Sequence, residues 1–463
     1  MRARSTWTPR LADSQAPPAD RLVTALATDI LDGRLHPGER LPAHRVLALE
    51  LGIAIGTVSK AYAILERRGL VRGSHGQGMF VAYLPPPDLG QIDLASNMPP
   101  PMLADSVVAD AIVAVSSRIG AADLANLGPP GGRLEHRRTM AAWVAATGLE
   151  LDPEQLILCN GAQQAIAAIL LSLGPDSSLV SIYTEEFTFP GALSYARQAG
   201  HPVHPVAIDE QGMIPAHLDR VLAGRSARTG FPPVVYVTPT LHNPTAATMR
   251  GGRRRELVRV ARRHDALIIE DDVYALSEDR PAAALVELAP ERTYYISSAS
   301  KALSPGIRIG LIRPPIDRRS ATAAAVRALS LPVSPLLCEL LRELLDIGVA
   351  ADIRQAIRTE GNRRTDLARR ILGSTVLKAA SNGYHAFAPM DRARAGAVVR
   401  NAEGAGVLLT SPEALMADPS GRRSGIRICL GAPTFADLTR GLGIVGELIR
   451  GSGSASESGP VDG

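Results

Sequence analysis

Aromatic residues are scarce in this sequence, since phenylalanine, tryptophan and tyrosine together make up 4% of its 463 residues. Cysteine is rarer still: Cys159, Cys338 and Cys429 lie far apart and show no CxxC spacing. We therefore expect buried, reduced thiols rather than a disulfide framework. The shortages reflect compositional bias and not disorder, because 46% of the chain is hydrophobic and can form a full-sized core.

Long hydrophobic runs are also missing. No stretch reaches about 18 consecutive apolar residues, so no transmembrane helix is expected. The N-terminal string MRARSTWTPRLADSQAPPAD lacks the continuous apolar region of a secretory signal. A large charge surplus is absent as well, and the net charge of +4 permits a nucleic-acid partner without requiring one. We expect a soluble, cytoplasmic protein with no membrane partner.

The chain divides into five stretches by composition. Residues 1–19 are polar and contain proline, which indicates a flexible arm, and residues 20–84 combine helical patterns with a glycine-punctuated end. Residues 85–91 open with three prolines and indicate a linker. Helical stretches alternate with short apolar strands over residues 92–450, as in an α/β domain. Residues 451–463 are rich in glycine and serine and are expected to be disordered.

The unit at residues 20–84 is predicted to hold three helices and a hairpin. A first amphipathic helix follows from the four-residue spacing of Leu22, Leu26 and Ile30. The second helix is expected to bury Val46, Leu47 and Leu51. The third is expected to bury Val58, Ala61, Tyr62 and Leu65. Two short helices joined by a tight turn allow the second of them to enter the major groove, and the string LVRGSHGQGMFVA predicts a hairpin wing.

The strings GRLHPGERLPAHRVLALELGI, TVSKAYAILERRGLV and GQGMFV resemble the GntR-type winged helix-turn-helix. The resemblance implies a recognition helix that begins within residues 54–60. It also implies contacts to operator DNA from Arg45, Thr57, Lys60 and, at the wing tip, His75 and Gly76. Taken alone, Arg45 is better explained as a solvated residue of a helix face. The family often carries arginine where this sequence has Ile55 and Ser59, which leaves the operator sequence undetermined.

Several apolar strings of the larger domain end in polar groups that suit a charged ligand. In LILCNGAQQAI, a strand and a glycine turn lead into a helix at Gly161, Ala162 and Gln163, where free N–H groups favour a phosphate. In ALIIEDDVYAL, a buried strand ends in three carboxylates, which are either functional or solvated in a loop. In YYISSASKALSPGIRIG, a strand delivers Lys301, whose amine attacks an aldehyde if the site lowers its pKa. Taken alone, Lys301 is also compatible with an ordinary surface lysine.

The strings GPPGG, NGAQQ, EEFTFPGA, HNPTA, EDDVY, SASKALSPGIRIG and GIRICLGAP resemble fold-type I aminotransferases in order and rough spacing. The resemblance spans residues 92–448. It implies a mostly parallel central sheet, a small C-terminal α+β subdomain, and pyridoxal 5′-phosphate (PLP) bound covalently to Lys301. Asp271 would then pair with the pyridinium nitrogen and keep it protonated, so that the ring can accept electrons.

The same resemblance assigns the remaining contacts. Asn243 and Tyr274 would bond the phenolic oxygen of the cofactor, and Phe189 would stack on its ring. Arg427 would grip the carboxylate of a substrate or effector. The phosphate would be held by Gly161, Ala162, Gln163, Ser298, Ser300 and Arg308.

A winged helix ahead of such a domain is typical of the MocR subfamily of GntR regulators, in which the aminotransferase-like domain is a sensor, usually in a head-to-tail homodimer. Three residues depart from the aminotransferase pattern. Leu127 replaces a tyrosine that reaches the partner's cofactor, Ala162 a frequent serine, and Ala246 the usual glycine. His201 and His204 have a spacing compatible with metal, but no other ligand lies nearby in sequence, so no metal is expected.

Three functions remain compatible with these patterns. The favoured one is a regulator whose operator affinity depends on PLP or an amino-acid-like effector. The second is a working aminotransferase with an accessory DNA-binding domain. The third is a regulator that has lost its cofactor.

Overall fold

The structure is a computed structural model. The structure describes residues 7, 11, 16–31, 34–36, 38–67, 70–74, 78–82, 90–126, 128–174, 179–224, 232–276, 280, 282–330, 332–373 and 377–454. The predicted wing-tip residues His75 and Gly76, the proline run at 85–87 and Leu127 lie outside these ranges.

The N-terminal unit folds as a winged helix. Its elements are α1 (Pro18–Leu31), α2 (His44–Leu51), α3 (Ile55–Arg67) and the antiparallel hairpin of β1 (Val71–Ser74) with β2 (Gly78–Val81). The residues predicted to face inward on α1 and α3 form its core. Tyr62 of α3 donates a hydrogen bond to the carbonyl of Pro42, 2.8 Å away, which ties α3 to the start of α2.

One prediction in this unit was wrong. Val46 is 49% exposed, because α2 turns Leu47 and Ala48 inward instead. Ahead of the first helix, Trp7 and Leu11 pack against the winged-helix core, and Trp7 Nε1 donates to Asp29 Oδ2 at 2.8 Å. Helix α1 also begins at Pro18, inside the predicted arm.

The large domain is built on a seven-stranded sheet. The strands lie in the order β4 (Ile157–Cys159), β12 (Gly310–Arg313), β11 (Thr293–Ser298), β10 (Leu267–Asp271), β9 (Pro233–Val237), β5 (Ser181–Glu185) and β6 (Val203–Val206). The strand β12 runs antiparallel to both its neighbours, and the other pairs are parallel. Strands with apolar residues on both faces are typical of a sheet covered by helices on each side.

Helices cover this sheet and carry the chain between its strands. They are α4 (Asp105–Ser116), α5 (Ala121–Ala125), α6 (Leu134–Ala145), α7 (Ala162–Leu173), α8 (Pro190–Gln198), α9 (Pro215–Ala223), α10 (Gly251–Arg263), α11 (Leu285–Leu288), α12 (Arg319–Leu329) and α13 (Pro335–Asp346). A short hairpin pairs β7 (Ile208–Asp209) with β8 (Gly212–Met213). Cys159 and Cys338 are buried here and unbonded, as is Cys429 in the smaller subdomain.

The smaller subdomain has its own core around a three-stranded antiparallel sheet. That sheet contains β13 (Lys378–Ala379), β14 (His385–Asp391) and β16 (Arg423–Cys429), and a separate parallel pair joins β3 (Ile92–Asp93) to β15 (Val407–Leu408). Its helices are α14 (Val349–Leu372), α15 (Arg392–Gly404), α16 (Pro412–Leu415) and α17 (Phe435–Ser454). The helix α17 continues to Ser454, four residues into the predicted tail.

The helix α14 connects the two parts of the domain. Ile353 and Ile357 in its first half belong to the core under the large sheet, whereas Leu367 and Leu372 in its second half belong to the core of the smaller subdomain.

Among the described residues no single helix is long and apolar enough to cross a membrane; the pair α2 and α3, bent by 118°, meets that length and composition only when taken together.

Candidate functional site

The carboxyl ends of four neighbouring strands, β5, β9, β10 and β11, meet at one edge of the large sheet, and the site lies there. Ligand sites of open α/β sheets form at this edge because the loops that follow parallel strands converge. A cavity of about 370 Å³ opens at this position. Its lining includes Ala162, Gln163, Phe189, Asn243, Asp271, Tyr274, Ser298, Ser300, Lys301, Arg308 and Arg427. The structure thus brings these predicted residues to one place.

Lys301 ends the short 3-10 turn Ala299–Lys301 that follows β11. Its Nζ donates a hydrogen bond to the main-chain carbonyl of Asn97, and its own carbonyl accepts one from Tyr384 Oη at 3.0 Å. Burial lowers the pKa of Lys301 to about 8. A lysine with this pKa holds a useful fraction of neutral amine near physiological pH, which nucleophilic attack on an aldehyde requires.

Asp271 is the last residue of β10 and is buried beneath the cavity. Its Oδ2 accepts a hydrogen bond from Tyr236 Oη at 2.7 Å, and its Oδ1 has no partner among the described residues. Burial raises the pKa of Asp271 to about 6, while the Tyr236 hydrogen bond opposes that rise. A buried carboxylate oxygen left without a donor is costly, and a protonated ring nitrogen would satisfy it.

A chain of hydrogen bonds links Asn97, Tyr274, Asn243 and Arg427 in the lining of the cavity. Tyr274 Oη accepts from Asn97 Nδ2 at 2.8 Å and from Asn243 Nδ2 at 3.4 Å. Asn243 Oδ1 in turn accepts from Arg427 Nη1 at 2.9 Å. Because two amides already donate to Tyr274 Oη, its own proton is available for an oxygen in the cavity.

Arg427 lies on β16 and reaches the cavity from the smaller subdomain. Its Nη2 donates to the carbonyl of Ala95 at 2.8 Å and to Thr410 Oγ1 at 2.9 Å, and its Nε has no partner among the described residues. A carboxylate gripped by two nitrogens of Arg427 must therefore replace part of this set.

The N-terminus of α7 and Arg308 form a cup for an anion. Gly161 precedes α7 with φ of 87°, and a Cβ added there would lie 2.8 Å from Arg308 Nη2. Arg308 donates to Ser300 Oγ at 3.4 Å and to the carbonyl of Asn160 at 3.3 Å. Free N–H groups at a helix start attract a phosphate, and Ala162 keeps its N–H although it lacks the serine hydroxyl.

The loop that holds Asn243 contains the alanine that departs from the family pattern. Ala246 adopts φ of 58°, a left-handed conformation that favours glycine, and its N–H donates to the carbonyl of His242 at 2.6 Å. The substitution therefore keeps the loop closed at a cost in backbone strain.

Of the three acids at the end of β10, Asp271 faces the cavity, and the other two are structural. Glu270 accepts hydrogen bonds from the N–H groups of Leu285 and Val286, both at 2.9 Å. Asp272 is buried and pairs with Arg280 and Tyr295. All three are buried, so the alternative of solvated loop acids was wrong.

Sequence reasoning missed Asn97 and Thr238, which line the cavity, and Tyr236, which bonds Asp271. Tyr236 on β9 and Thr238 directly after it precede the HNPTA string by a few residues, and their alternation was a usable signal. Asn97 carries no motif, and its part in the site follows from the path of the chain after β3.

No group of three potential metal ligands occurs among the described residues. His201 Nδ1 accepts a hydrogen bond from the N–H of Val180 at 3.3 Å, and the ring of His204 stacks on Tyr183.

The predicted DNA contacts lie on the outer side of the winged helix, as far as they are described. Arg45 and Lys60 are exposed, and Thr57 is half-buried near the start of α3. These positions are accessible to a duplex, whereas His75 and Gly76 fall outside the described residues.

Residues 90–440 match the family described as aminotransferase class I and II. The chain belongs to that family. Residues 18–81 match the family described as bacterial regulatory proteins, gntR family. The predicted pairing of a GntR-type winged helix with an aminotransferase-like domain, the MocR arrangement, is confirmed.

Similar proteins match this chain across both of its parts. The uncharacterized HTH-type transcriptional regulator YdeF of Bacillus subtilis (strain 168) is 26% identical over 457 residues, covering 96% of this chain and 97% of that protein. The HTH-type pyridoxine biosynthesis transcriptional regulator PdxR of Corynebacterium glutamicum is 27% identical over 379 residues, covering 78% of this chain and 80% of that protein.

Among solved structures, the alpha-aminoadipate aminotransferase LysN from Thermus thermophilus, complexed with N-(5'-phosphopyridoxyl)-L-leucine, matches with a TM-score of 0.68 at 20% identity. The match covers 79% of this chain and 94% of that one, and it confirms the predicted fold.

The residues present fit pyridoxal phosphate. The unpartnered Asp271 Oδ1 suits a protonated ring nitrogen, and the cup at Gly161 and Arg308 suits a phosphate. Lys301 supplies a buried amine of lowered pKa between them. The cavity volume of about 370 Å³ is within the range typical of small-molecule sites.

Proposed function

We propose that this protein is a transcription regulator that binds operator DNA through its winged helix and senses PLP, or an amino-acid-like effector, in its large domain. A single observation carries the proposal: one chain joins a DNA-reading fold to a pocket in which a buried amine, an unpartnered carboxylate oxygen and an anion cup surround one cavity.

The side chains of the pocket have distinct tasks. PLP, when bound, supplies an aldehyde for amines and an electron-withdrawing ring. Lys301 would provide the attacking amine, Asp271 would hold a proton on the ring nitrogen, and Phe189 would cover the ring face. Arg308 and the start of α7 bind the phosphate, and Arg427 binds the carboxylate of the effector.

Ligand binding changes contacts on the first segment of the large domain. The carbonyls of Ala95 and Asn97 accept hydrogen bonds from Arg427 and Lys301, respectively. A carboxylate on Arg427 and a cofactor on Lys301 compete with those contacts. This segment follows the predicted linker and is the part of the large domain nearest in sequence to the winged helix. Regulation requires the binding free energy of the ligand to differ by a few kcal/mol between two conformations of the protein.

We further propose that the protein acts in the cytoplasm as a head-to-tail homodimer. Each winged helix would read one half-site, with Arg45, Thr57 and Lys60, and the wing tip at His75 and Gly76, on the DNA.

Operator binding tests the proposal directly. DNA selected from a random library by the full-length protein is footprinted with and without PLP and a panel of amino acids. We expect specific protection whose midpoint shifts on ligand addition. Absence of any sequence-specific protection at moderate salt would contradict a regulator.

Two variants separate the sites. We expect Lys60→Ala to weaken DNA binding and lower its salt dependence by about one counterion, with PLP binding unchanged. We expect Lys301→Ala to lose the absorbance of covalently bound PLP and keep nonspecific DNA binding. Cofactor in Lys301→Ala that borohydride still fixes to the protein would contradict the assignment of Lys301.

A wild-type protein without cofactor absorbance would support the hypothesis of a regulator that has lost its cofactor.

A second candidate function is a working aminotransferase, favoured by the placement of Asp271, Tyr274, Lys301 and Arg427 around one cavity. Conversion of bound cofactor to its amine form by an amino acid, and its return by an oxo acid, would support turnover. No conversion across a broad panel of amino donors would count against it.

A further inference from the structure

Asn97 occupies a central position in the pocket although it belongs to no recognised motif. It lies in the segment between β3 and α4, and 7% of its surface is exposed. Its main-chain carbonyl accepts the hydrogen bond of Lys301 Nζ, and its Nδ2 donates to Tyr274 Oη at 2.8 Å. Asn97 therefore contacts the amine of Lys301 through its backbone and the hydroxyl of Tyr274 through its side chain.

The other atom of the same amide is unsatisfied. Asn97 Oδ1 is buried and has no hydrogen-bond partner among the described residues. Asp271 Oδ1, at the same cavity, also has no partner among the described residues, and the ring nitrogen of PLP would provide its donor. Buried polar atoms are rarely left without partners, and one that borders a ligand cavity is a candidate for pairing with a group of the ligand.

The ring atoms of PLP do not provide a donor for Asn97 Oδ1. Asn97 Nδ2 is bonded to Tyr274, which is expected to contact the phenolic oxygen of PLP. That oxygen accepts hydrogen bonds, so it is not a donor for Asn97 Oδ1. Lys301 Nζ is bonded to the Asn97 carbonyl and not to Oδ1. Of the groups that would enter this pocket, the amino compound that binds next to the cofactor is the one that can carry a suitable donor.

We propose that Asn97 is a specificity-determining residue that selects amino ligands with a second hydrogen-bond donor, a hydroxyl or an amine, close to the reacting amino group. Its Oδ1 accepts a hydrogen bond from that donor, while its Nδ2 keeps Tyr274 in position. This inference rests on the proposed function, because it requires an amino ligand to enter the PLP pocket. A site built around a buried acceptor discriminates strongly against analogues that leave the acceptor unpaired.

Matched ligand pairs test the proposal on the full-length protein loaded with PLP. Serine is compared with alanine in both configurations, and ethanolamine with ethylamine, by titrating the absorbance of the bound cofactor. We expect the wild type to bind the hydroxyl member of a pair at least about tenfold more tightly. In Asn97→Ala the ratio between the affinities for the two members of each pair should fall to near one. The ratio between the affinities for an amino acid and for its carboxylate-free analogue should stay unchanged.

Two further variants control for indirect effects. Asn97→Asp keeps an acceptor at the same place and should retain the hydroxyl preference. Asn401→Ala removes an amide at an exposed position of α15 that does not line the cavity, and it should leave all ratios as in the wild type. A hydroxyl preference that survives Asn97→Ala, or a wild type that binds both members of each pair equally, overturns the proposal. If none of these ligands, nor any other amino acid of the panel, changes the cofactor spectrum, the amino-effector part of the proposed function fails and the assignment of Asn97 fails with it.

Discussion

At the level of single residues, the phosphate end of the pocket depends on a missing side chain. Gly161 has φ of 87°, and a Cβ there would lie 2.8 Å from Arg308 Nη2. We expect Gly161→Ala to displace Arg308 and strain the entry to α7, weakening PLP binding at least about tenfold. Equilibrium titration of the apoprotein with PLP measures this loss.

Gly348→Ala is the matched control for that substitution. Gly348 has φ of 77°, and a Cβ added there would meet nothing within 4 Å, so this position carries the backbone strain without the clash. We expect the substitution to lower the free energy of unfolding by about 1 kcal/mol and leave PLP affinity unchanged. Equal PLP affinities for the two variants would show that contact with Arg308 is unimportant.

The pKa of Lys301 predicts a pH profile for cofactor attachment. Burial lowers this pKa from 10.5 to about 8, and the amine reacts only when unprotonated. The rate of covalent attachment of PLP to the apoprotein should therefore rise about tenfold per pH unit below pH 8 and level off above it. Stopped-flow absorbance across pH 6 to about 10 gives the profile. A rate that continues to rise beyond about pH 9.5 would point to a lysine of ordinary pKa.

At the level of elements, the buried Arg364 on α14 holds the loop that follows β16. Its Nη1 donates to the carbonyls of Leu430, Gly431 and Pro433 at 2.7 to 2.8 Å, and its Nε pairs with Glu360 at 2.7 Å. The segment after Asn97 crosses this loop so closely that a Cβ on Gly431 would lie 1.9 Å from the carbonyl of Met98.

We expect Arg364→Met to lower the free energy of unfolding by about 3–5 kcal/mol, because it leaves a buried carboxylate and three carbonyls without their donor. Urea denaturation measures the loss. Arg370→Met, an exposed position on the same helix, should change stability by less than about 0.5 kcal/mol. Similar losses in the two variants would mean that the Arg364 contacts contribute little.

At the level of the whole molecule, an exposed apolar patch on α4 supports the proposed homodimer. Val113 is 70% exposed and Ile112 is 49% exposed on this helix, which packs against α13 on its other face. Contiguous exposed apolar residues are typical of interfaces. We expect Val113→Lys to shift the protein toward monomer in sedimentation equilibrium and to weaken binding to a two-half-site operator, with single half-site binding retained.

Ile316→Lys provides a comparison at an equally exposed apolar position outside α4. It should leave the association state as in the wild type. An unchanged sedimentation profile for Val113→Lys would place the interface elsewhere.

The sequence by itself determined the two-part organisation and most of the pocket. Local patterns are sufficient for prediction where the feature depends on neighbours in the chain. Such features include the apolar spacing of α1 and α3, the glycine before α7, and Lys301 after β11. Where burial depends on distant packing, the patterns misled, as with Val46 on α2 and the acids beside Asp271. Periodicity does not reveal which face of a short helix meets the rest of the fold.

Only the tertiary structure decided which polar atoms complete the site. Asn97 lies 177 positions from Tyr274 and 204 from Lys301 in sequence, and no spacing rule connects them. Tyr236 likewise reaches Asp271 only because β9 and β10 are adjacent in the sheet. The identity of side chains specifies what chemistry is available, whereas the folding of separate strands into one edge determines which of those groups meet.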